Sequence, residues 1–132
     1  MAEQLTESDM EFLTDTNFAT FVTMNPDGTP QATVTWVDAA EGHVLINTAK
    51  GRVKHRNCEA NPRVALSVMR DCDAYDWISI TGTVVRFETG ERAEKHIEEL
   101  SHRYDGRGYT YTPGQEREIL WIRPKRVIRY KD

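Results

Sequence analysis

Between Lys50 and Arg63 the chain carries five cations, Lys50, Arg52, Lys54, Arg56 and Arg63, and a single acid, Glu59. The whole chain is net −4, so this window is a positive island in an acidic molecule. Lys50/Lys54 and Arg52/Arg56 fall at i,i+4 in the helix that the segment predicts, a spacing that costs like charges a few tenths of a kcal/mol per pair. Cations in a first helical turn also oppose the helix dipole. A bound anion removes both penalties. The preceding run, Gly42 to Asn47, reads as a strand and Gly51 follows it. Strand end, glycine and helix N-terminus together make a cradle for phosphate. Thr48 offers a hydroxyl, Arg52 a bidentate fork, Lys50 or Lys54 a point charge, and Asn57, one turn further on, a side-chain amide. The pattern Gly-x-x-x-x-Gly-Lys-Ser/Thr is absent, so this is no Walker loop. The competing reading is a solvated, charged helix face with no ligand.

The other reactive residue types form no legible set. The four histidines, His43, His55, His96 and His102, make no HxH or HExxH pattern and no grouping with Cys58 or Cys72, which gives no metal site. His96 and His102 are expected on the exposed side of a late helix, and the acids Glu98, Glu99, Glu116 and Glu118 in solvent. No serine stands in a nucleophile elbow. Trp36 and Trp77, flanked by small or hydroxyl residues, fit either core packing or a slot for a flat ring system. Tyr104, Tyr109 and Tyr111 border a glycine-containing loop that either covers a pocket or is an ordinary surface turn.

The elements that must position these residues follow from pattern. A short helix starts after Leu5, with Thr6 and Asp9 as its capping pair. Strands are expected over Phe18–Met24, Gln31–Val37, Gly42–Asn47, Val64–Met69, Trp77–Phe87 and Glu118–Tyr130, the last interrupted at Pro124. Asn25-Pro26-Asp27-Gly28 turns the first strand into the second. The basic helix, Arg52 to Ala60, stops at Asn61-Pro62, because the residue before proline avoids helical geometry. Gly82 marks a bulge or sharp bend. A last helix runs from Glu91 to about Tyr104, with Ala93, Ile97 and Leu100 on one face, and Asp105–Gln115 is loop. Six mostly antiparallel strands with two or three small helices predict a mainly β, barrel-like single domain over residues 1–132.

Bulk properties narrow the function. A chain of 132 residues builds a core without disulfide or metal staples. No apolar run approaches a membrane span, and the start has no apolar signal segment. Two cysteines outside any CxxC pattern suit reduced thiols, and a cytoplasmic location is expected. Net acidity points away from nucleic acid.

Several stretches together resemble the pyridoxamine 5′-phosphate oxidase-like superfamily. They are Gly28-Thr29-Pro30, the span Val44–Thr48 through Arg52-x-Lys54-x-x-Asn57 to Asn61–Leu66, Asp76–Gly82 and Ile119–Val127. The short chain and the Thr-x-x-Gly-Arg-x-Lys-x-x-Asn spacing are most similar to its flavin/deazaflavin oxidoreductases, in the branch that uses coenzyme F420. The resemblance implies a six-stranded antiparallel split β-barrel that forms a homodimer, with the cofactor in a cleft between subunits. It implies that Arg52 and Lys54 hold the cofactor phosphate, helped by Thr48, Lys50, Gly51 and Asn57. The strand from Thr33 to Trp36 then runs along the ring, and Trp77 approaches from the partner subunit. Oxidases acting on vitamin B6 carry an adjacent Arg-Lys pair here and a basic residue ending strand two. Arg52-Val53-Lys54 and Asp38 stand in those places, which points away from that reaction.

The expected activity is hydride transfer between F420 and a small unsaturated or conjugated substrate. Hydride chemistry belongs to the cofactor, so the missing protein nucleophile and metal are consistent with it. Excess cations also suit the oligoglutamate tail of F420, which FMN lacks. The alternatives are an FMN-dependent oxidoreductase, a non-catalytic protein binding F420, FMN or haem, and a small nucleic-acid-binding barrel, which the lack of interleaved aromatic and basic residues disfavours.

Overall fold

The computed structural model describes residues 3–132. Helix α1, Glu7–Thr14, leads into strands β1 (Phe18–Met24), β2 (Pro30–Thr35), β3 (Asp38–Ala40) and β4 (His43–Ala49). Helix α2 (Val53–Ala60) is followed by β5 (Arg63–Arg70), β6 (Asp73–Thr89), α3 (Glu91–Asp105) and β7 (Arg117–Lys131). The strands form one sheet in the order β2-β1-β5-β6-β7-β4-β3, every neighbouring pair antiparallel.

The two edge strands, β2 and β3, are separated in sequence only by Trp36 and Val37. Three residue steps span at most about 11 Å, so the sheet must curl until its edges nearly meet. The result is a barrel split between β2 and β3, the expected architecture. It has seven strands rather than six. Asp38–Ala40 pairs with β4 in the register Asp38↔Leu45, too short a stretch for any alternation to reveal.

Local chemistry sets the boundaries. Thr6 accepts from the Asp9 amide at 3.0 Å and Asp9 accepts from the Thr6 amide at 2.9 Å, a complete capping box. Strand β7 runs through Pro124 instead of breaking there. Pro124 lies opposite Gly82, where the ladder already shifts register, so its missing N–H falls in a bulge. A Cβ at Gly82 would collide with the Arg123 carbonyl oxygen, which is why the bulge needs glycine.

Inside the barrel, Phe21, Ile46, Leu66, Ile78, Ile80, Leu120 and Ile122 are almost completely buried, and α1 adds Phe12 and Leu13. Each such side chain contributes about 1.5–3 kcal/mol of burial. A smaller cluster of Leu45, Ala93, Ile119 and Trp121 seats α3 against the outside of β4 and β7. Both cysteines are free thiols, Cys58 buried and Cys72 exposed. Two expectations about burial fail. His96 is buried, not on the open side of α3, and Glu118 is buried, not solvated. Each is matched to a polar partner from a distant element, which sequence spacing does not reveal. No helix is long and apolar enough to cross a membrane.

Candidate functional site

Strand β4 alternates so that Val44, Ile46 and Thr48 face the barrel interior while Leu45, Asn47 and Ala49 face α3 and the start of β7. The chain then turns through Lys50, Gly51 and Arg52. Gly51 sits at φ +91°, where any side chain would be strained. Its N–H donates to His55 Nδ1 at 3.0 Å. His55 therefore carries its hydrogen on Nε2, 3.1 Å from buried Glu118 Oε1. Burial pushes the Glu118 carboxyl up, while His55 and Lys50 pull it down. This buried pair beneath α2 anchors the turn that presents Arg52.

Three cations converge at the end of that turn. Arg52 caps α2 without a side-chain hydrogen bond of its own, Lys54 is half-buried on its first turn, and Arg117 enters from β7. Among the described residues none of the three has a carboxylate partner within 4.0 Å. Burial lowers the Lys54 ammonium below its ordinary range, with Arg52 and Arg117 adding to the effect. Arg117 is also pushed down, first by burial, with the Tyr109 side opposing it and Arg52 reinforcing it. Arg117 is only 4% exposed and touches neutral partners alone. A buried cation without counter-charge is expensive, and two further cations beside it compound the cost. An anion resolves all three.

Beside the cations opens a cavity of about 270 Å³ lined by Trp36, Val34, Asn47, Arg52, Tyr109 and Arg117, among others. The Trp36 ring stacks on Tyr104, centroids 5.3 Å apart and planes within 6°. A larger cavity, about 550 Å³, lies on the other side of α3. Its cations stand among Glu91 and Glu99, and Arg92 faces Glu41 and Glu88. It has no charge excess, so the smaller cavity is the better anion site.

The expected site residues divide. Arg52, Lys54, Gly51 and Trp36 come together here. Thr48 and Thr33 bury hydroxyls that find no partner among the described residues, and such groups are costly unless a ligand or water meets them. Lys50 is exposed and paired with Glu116 at 3.4 Å. Asn57 is buried and commits both amide hydrogens, to Thr23 Oγ1 and Asn25 Oδ1 at 3.0 Å each, tying α2 to the β1–β2 hairpin. Trp77 lies away from the cavity on the outer sheet face, stacked on Tyr130 at 5.3 Å. Arg117 and Asn47 are not among the expected site residues, whereas Tyr109, from the loop read as either a pocket cover or a surface turn, lines the cavity. Arg117 stands between Glu116 and Glu118, where sequence shows only an alternating charge run. The signal that finds it is three-dimensional, its pairing opposite Ala49 at the end of β4.

The outer sheet face is itself unusual. Pairing places Phe18, Met69, Trp77 and Tyr130 in one row across four strands. Phe18, Met69 and Tyr130 are each more than 40% exposed, and Val34 is 70% exposed nearby. A bare aromatic row of this kind marks an interaction surface.

The model of the family described as pyridoxamine 5′-phosphate oxidase matches residues 5–131. Among solved structures the chain is similar to an F420 reductase, with TM-score 0.78 and 28% identity over 89% of this chain and 94% of that one. It shares its fold with a conserved hypothetical protein of Mycobacterium tuberculosis, at TM-score 0.71 and 21% identity over 96% of this chain and 84% of that one. It also shares it with HupZ of Group A Streptococcus, at TM-score 0.66 and 14% identity over 94% of this chain and 93% of that one. No curated protein sequence matches significantly.

Proposed function

Because the chain belongs to the pyridoxamine 5′-phosphate oxidase family, we propose that it is an F420-dependent oxidoreductase acting on a small unsaturated or conjugated compound. The observation that carries this reading is the cluster of Arg52, Lys54 and Arg117, unneutralised beside a Trp36-lined cavity. The similarity to an F420 reductase supports the deazaflavin over other phosphate ligands.

The residues present fit such a group. Arg52 and Lys54 would hold the phosphate, the Gly51 turn letting the backbone approach closely, while Thr48, facing the barrel interior, and Thr33, opposite buried Phe21, would lie behind the site and not on it. Trp36 would flank the ring. Lys50 would meet outlying negative charge once freed from Glu116, and Asn57 would act by fixing α2. When bound, the cofactor supplies the hydride donor or acceptor. The protein's share is orientation, a fixed positive field at the phosphate, and exclusion of water from the ring face. In a homodimer the bare row of Phe18, Met69, Trp77 and Tyr130 would be covered by a second copy, and Trp77 would then close the cleft of its neighbour. A cytoplasmic location suits a cofactor of this class.

Titration with F420 and with FMN, followed by tryptophan fluorescence, tests the reading. Quenching by F420 at micromolar concentration is expected. FMN binding with no response to F420 replaces it with the second reading, an FMN-dependent oxidoreductase, which the family match itself favours. Tight binding of either without turnover on enones, quinones and nitro compounds favours a carrier.

A further inference from the structure

Arg117 is not held at random. Its Nε donates to Asn47 Oδ1 at 3.0 Å, and Asn47 Nδ2 donates to the Ala93 carbonyl and meets His96 Nδ1, both at 3.0 Å. His96 Nε2 lies 2.9 Å from Asp38 Oδ2, and Arg103 closes the far end by donating to Asp38 Oδ1 at 3.0 Å. Asp38, His96, Asn47 and Arg117 are each at least nine-tenths buried. They come from β3, α3, β4 and β7.

Hydrogen-bond direction runs one way along this chain. Anionic Asp38 accepts only, so the hydrogen of His96 sits on Nε2 and Nδ1 is left as acceptor. That acceptor and the Ala93 carbonyl claim both amide hydrogens of Asn47, which turns its oxygen toward Arg117. The guanidinium is thereby fixed along its Nε edge. Nη1 is taken by Tyr109 and Gln115 at 3.1 and 3.3 Å, and Nη2 by the Asn47 carbonyl at 3.4 Å. Of its five hydrogens, one on Nη2 has no acceptor among the described residues. Arg117 also lines the cavity beside Arg52.

We propose that Arg117 is the buried anchor of the phosphate site, and that Asn47, oriented by His96 and Asp38, is the positioning residue that aims it. This rests on the reading of the cavity as a site for a phosphate-bearing cofactor. The arrangement gives a neutral clamp to a charged group: every partner of Arg117 orients it and none cancels its charge. A purely structural arginine at 4% exposure would be expected to have a carboxylate beside it, and this one has only amides, a phenol and a carbonyl.

The test compares affinity for a phosphate-bearing chromophore with affinity for the same ring and sugar-alcohol chain lacking phosphate: F420 against its phosphate-free deazaflavin, FMN against riboflavin. General damage lowers both affinities and leaves their ratio alone. Asn47→Asp keeps the oxygen facing Arg117 and supplies the counter-charge that the site lacks. Its second oxygen faces the Ala93 carbonyl and His96 Nδ1, so it is expected to melt below wild type, and while folded to lose tenfold or more of the phosphate preference. Arg117→Met is expected to lose the same preference and to abolish stabilisation by inorganic phosphate. His96→Leu, which frees the Asn47 amide, should lower the ratio several-fold. A full ratio in folded Asn47→Asp or Arg117→Met protein overturns the proposal and leaves the oxidoreductase reading standing. Wild-type protein that binds neither chromophore but is stabilised by inorganic phosphate through Arg117 keeps the anchor and removes that reading.

Discussion

Two groups of cations flank the same barrel and are built on opposite plans. Arg70 and Arg129 reach the buried carboxylate of Asp76, each at 2.6 Å, and both lie over the Phe12 ring, 4.8 and 4.2 Å from its centroid. Arg70 also meets Asp15 at 3.4 Å, so two acids balance the two guanidiniums, whose planes are packed. Arg52 is exposed, Lys54 half-buried and Arg117 buried; none has an acid, and the partners of Arg117 are neutral. The first group is complete as it stands and closes the α1 end of the barrel. The second is complete only with an anion from outside. Charge balance, rather than the number of cations, separates a structural cluster from a binding one.

The comparison can be broken most severely at Phe12. Phe12→Ala removes a 3%-exposed aromatic and both cation–π contacts; it should cost about 3–5 kcal/mol in urea unfolding with cofactor affinity unchanged. At the other cluster the effects exchange places. Arg52→Ala or Lys54→Ala should weaken cofactor binding by ~1.5–3 kcal/mol, the range of a charged hydrogen bond. Calorimetry should show their unfolding temperature equal to or above that of wild type. Normal binding by both variants would remove the phosphate assignment. Inorganic phosphate at 100 times its dissociation constant should stabilise wild type by about 2.7 kcal/mol and Arg52→Ala by far less.

Acid should distinguish the clusters too. The hydrogen bond from Arg70, reinforced by Arg129, holds the Asp76 carboxyl below its ordinary range. For Asp38, burial pushes upward, but His96 and Arg103 outweigh it and the net shift is also down. Carboxylates depressed in the folded state contribute stability above their unfolded pKa and lose it as pH falls through the folded value. Stability should therefore fall as pH drops below about 4, and Asp76→Asn should flatten that slope. Lys54 has the same sign in a different window: its lowered pKa leaves the folded protein gaining stability as pH rises through the alkaline range. Equilibrium unfolding in the alkaline range should show that gain in the free protein and not in its phosphate complex. The smallest expected effect is at Gly51, where alanine at φ +91° should cost about 1–2 kcal/mol and a few-fold in affinity.

Much of this was legible from local pattern. Thr6 and Asp9 announced their capping box, Asn61-Pro62 ended α2, and Gly82 marked a bulge, because each depends on neighbours in the chain. The positive island at Lys50 to Arg63 likewise pointed to Arg52 and Lys54. What sequence hid was settled by contacts between distant elements. Pro124 continues β7 only because Gly82 faces it across the ladder. His96 and Glu118 are buried because Asp38 and His55 await them. Arg117 joins the site because β7 starts opposite the end of β4. Thr48 and Asn47 differ by one position, and strand alternation sends the first inward and the second to the cavity.

The short tether of Trp36 and Val37 has a mechanical consequence. Where β2 and β3 approach, no backbone ladder joins them; the tether is pinned to α3 instead, the Val37 amide donating to the Tyr104 hydroxyl at 3.2 Å and Arg103 donating to the Val37 carbonyl at 3.3 Å. The cylinder can part along that line without unzipping a strand. Trp36 sits on the same line and on the cavity wall, stacked on Tyr104, so the open seam of the barrel and the wall of the pocket are one short segment held by α3.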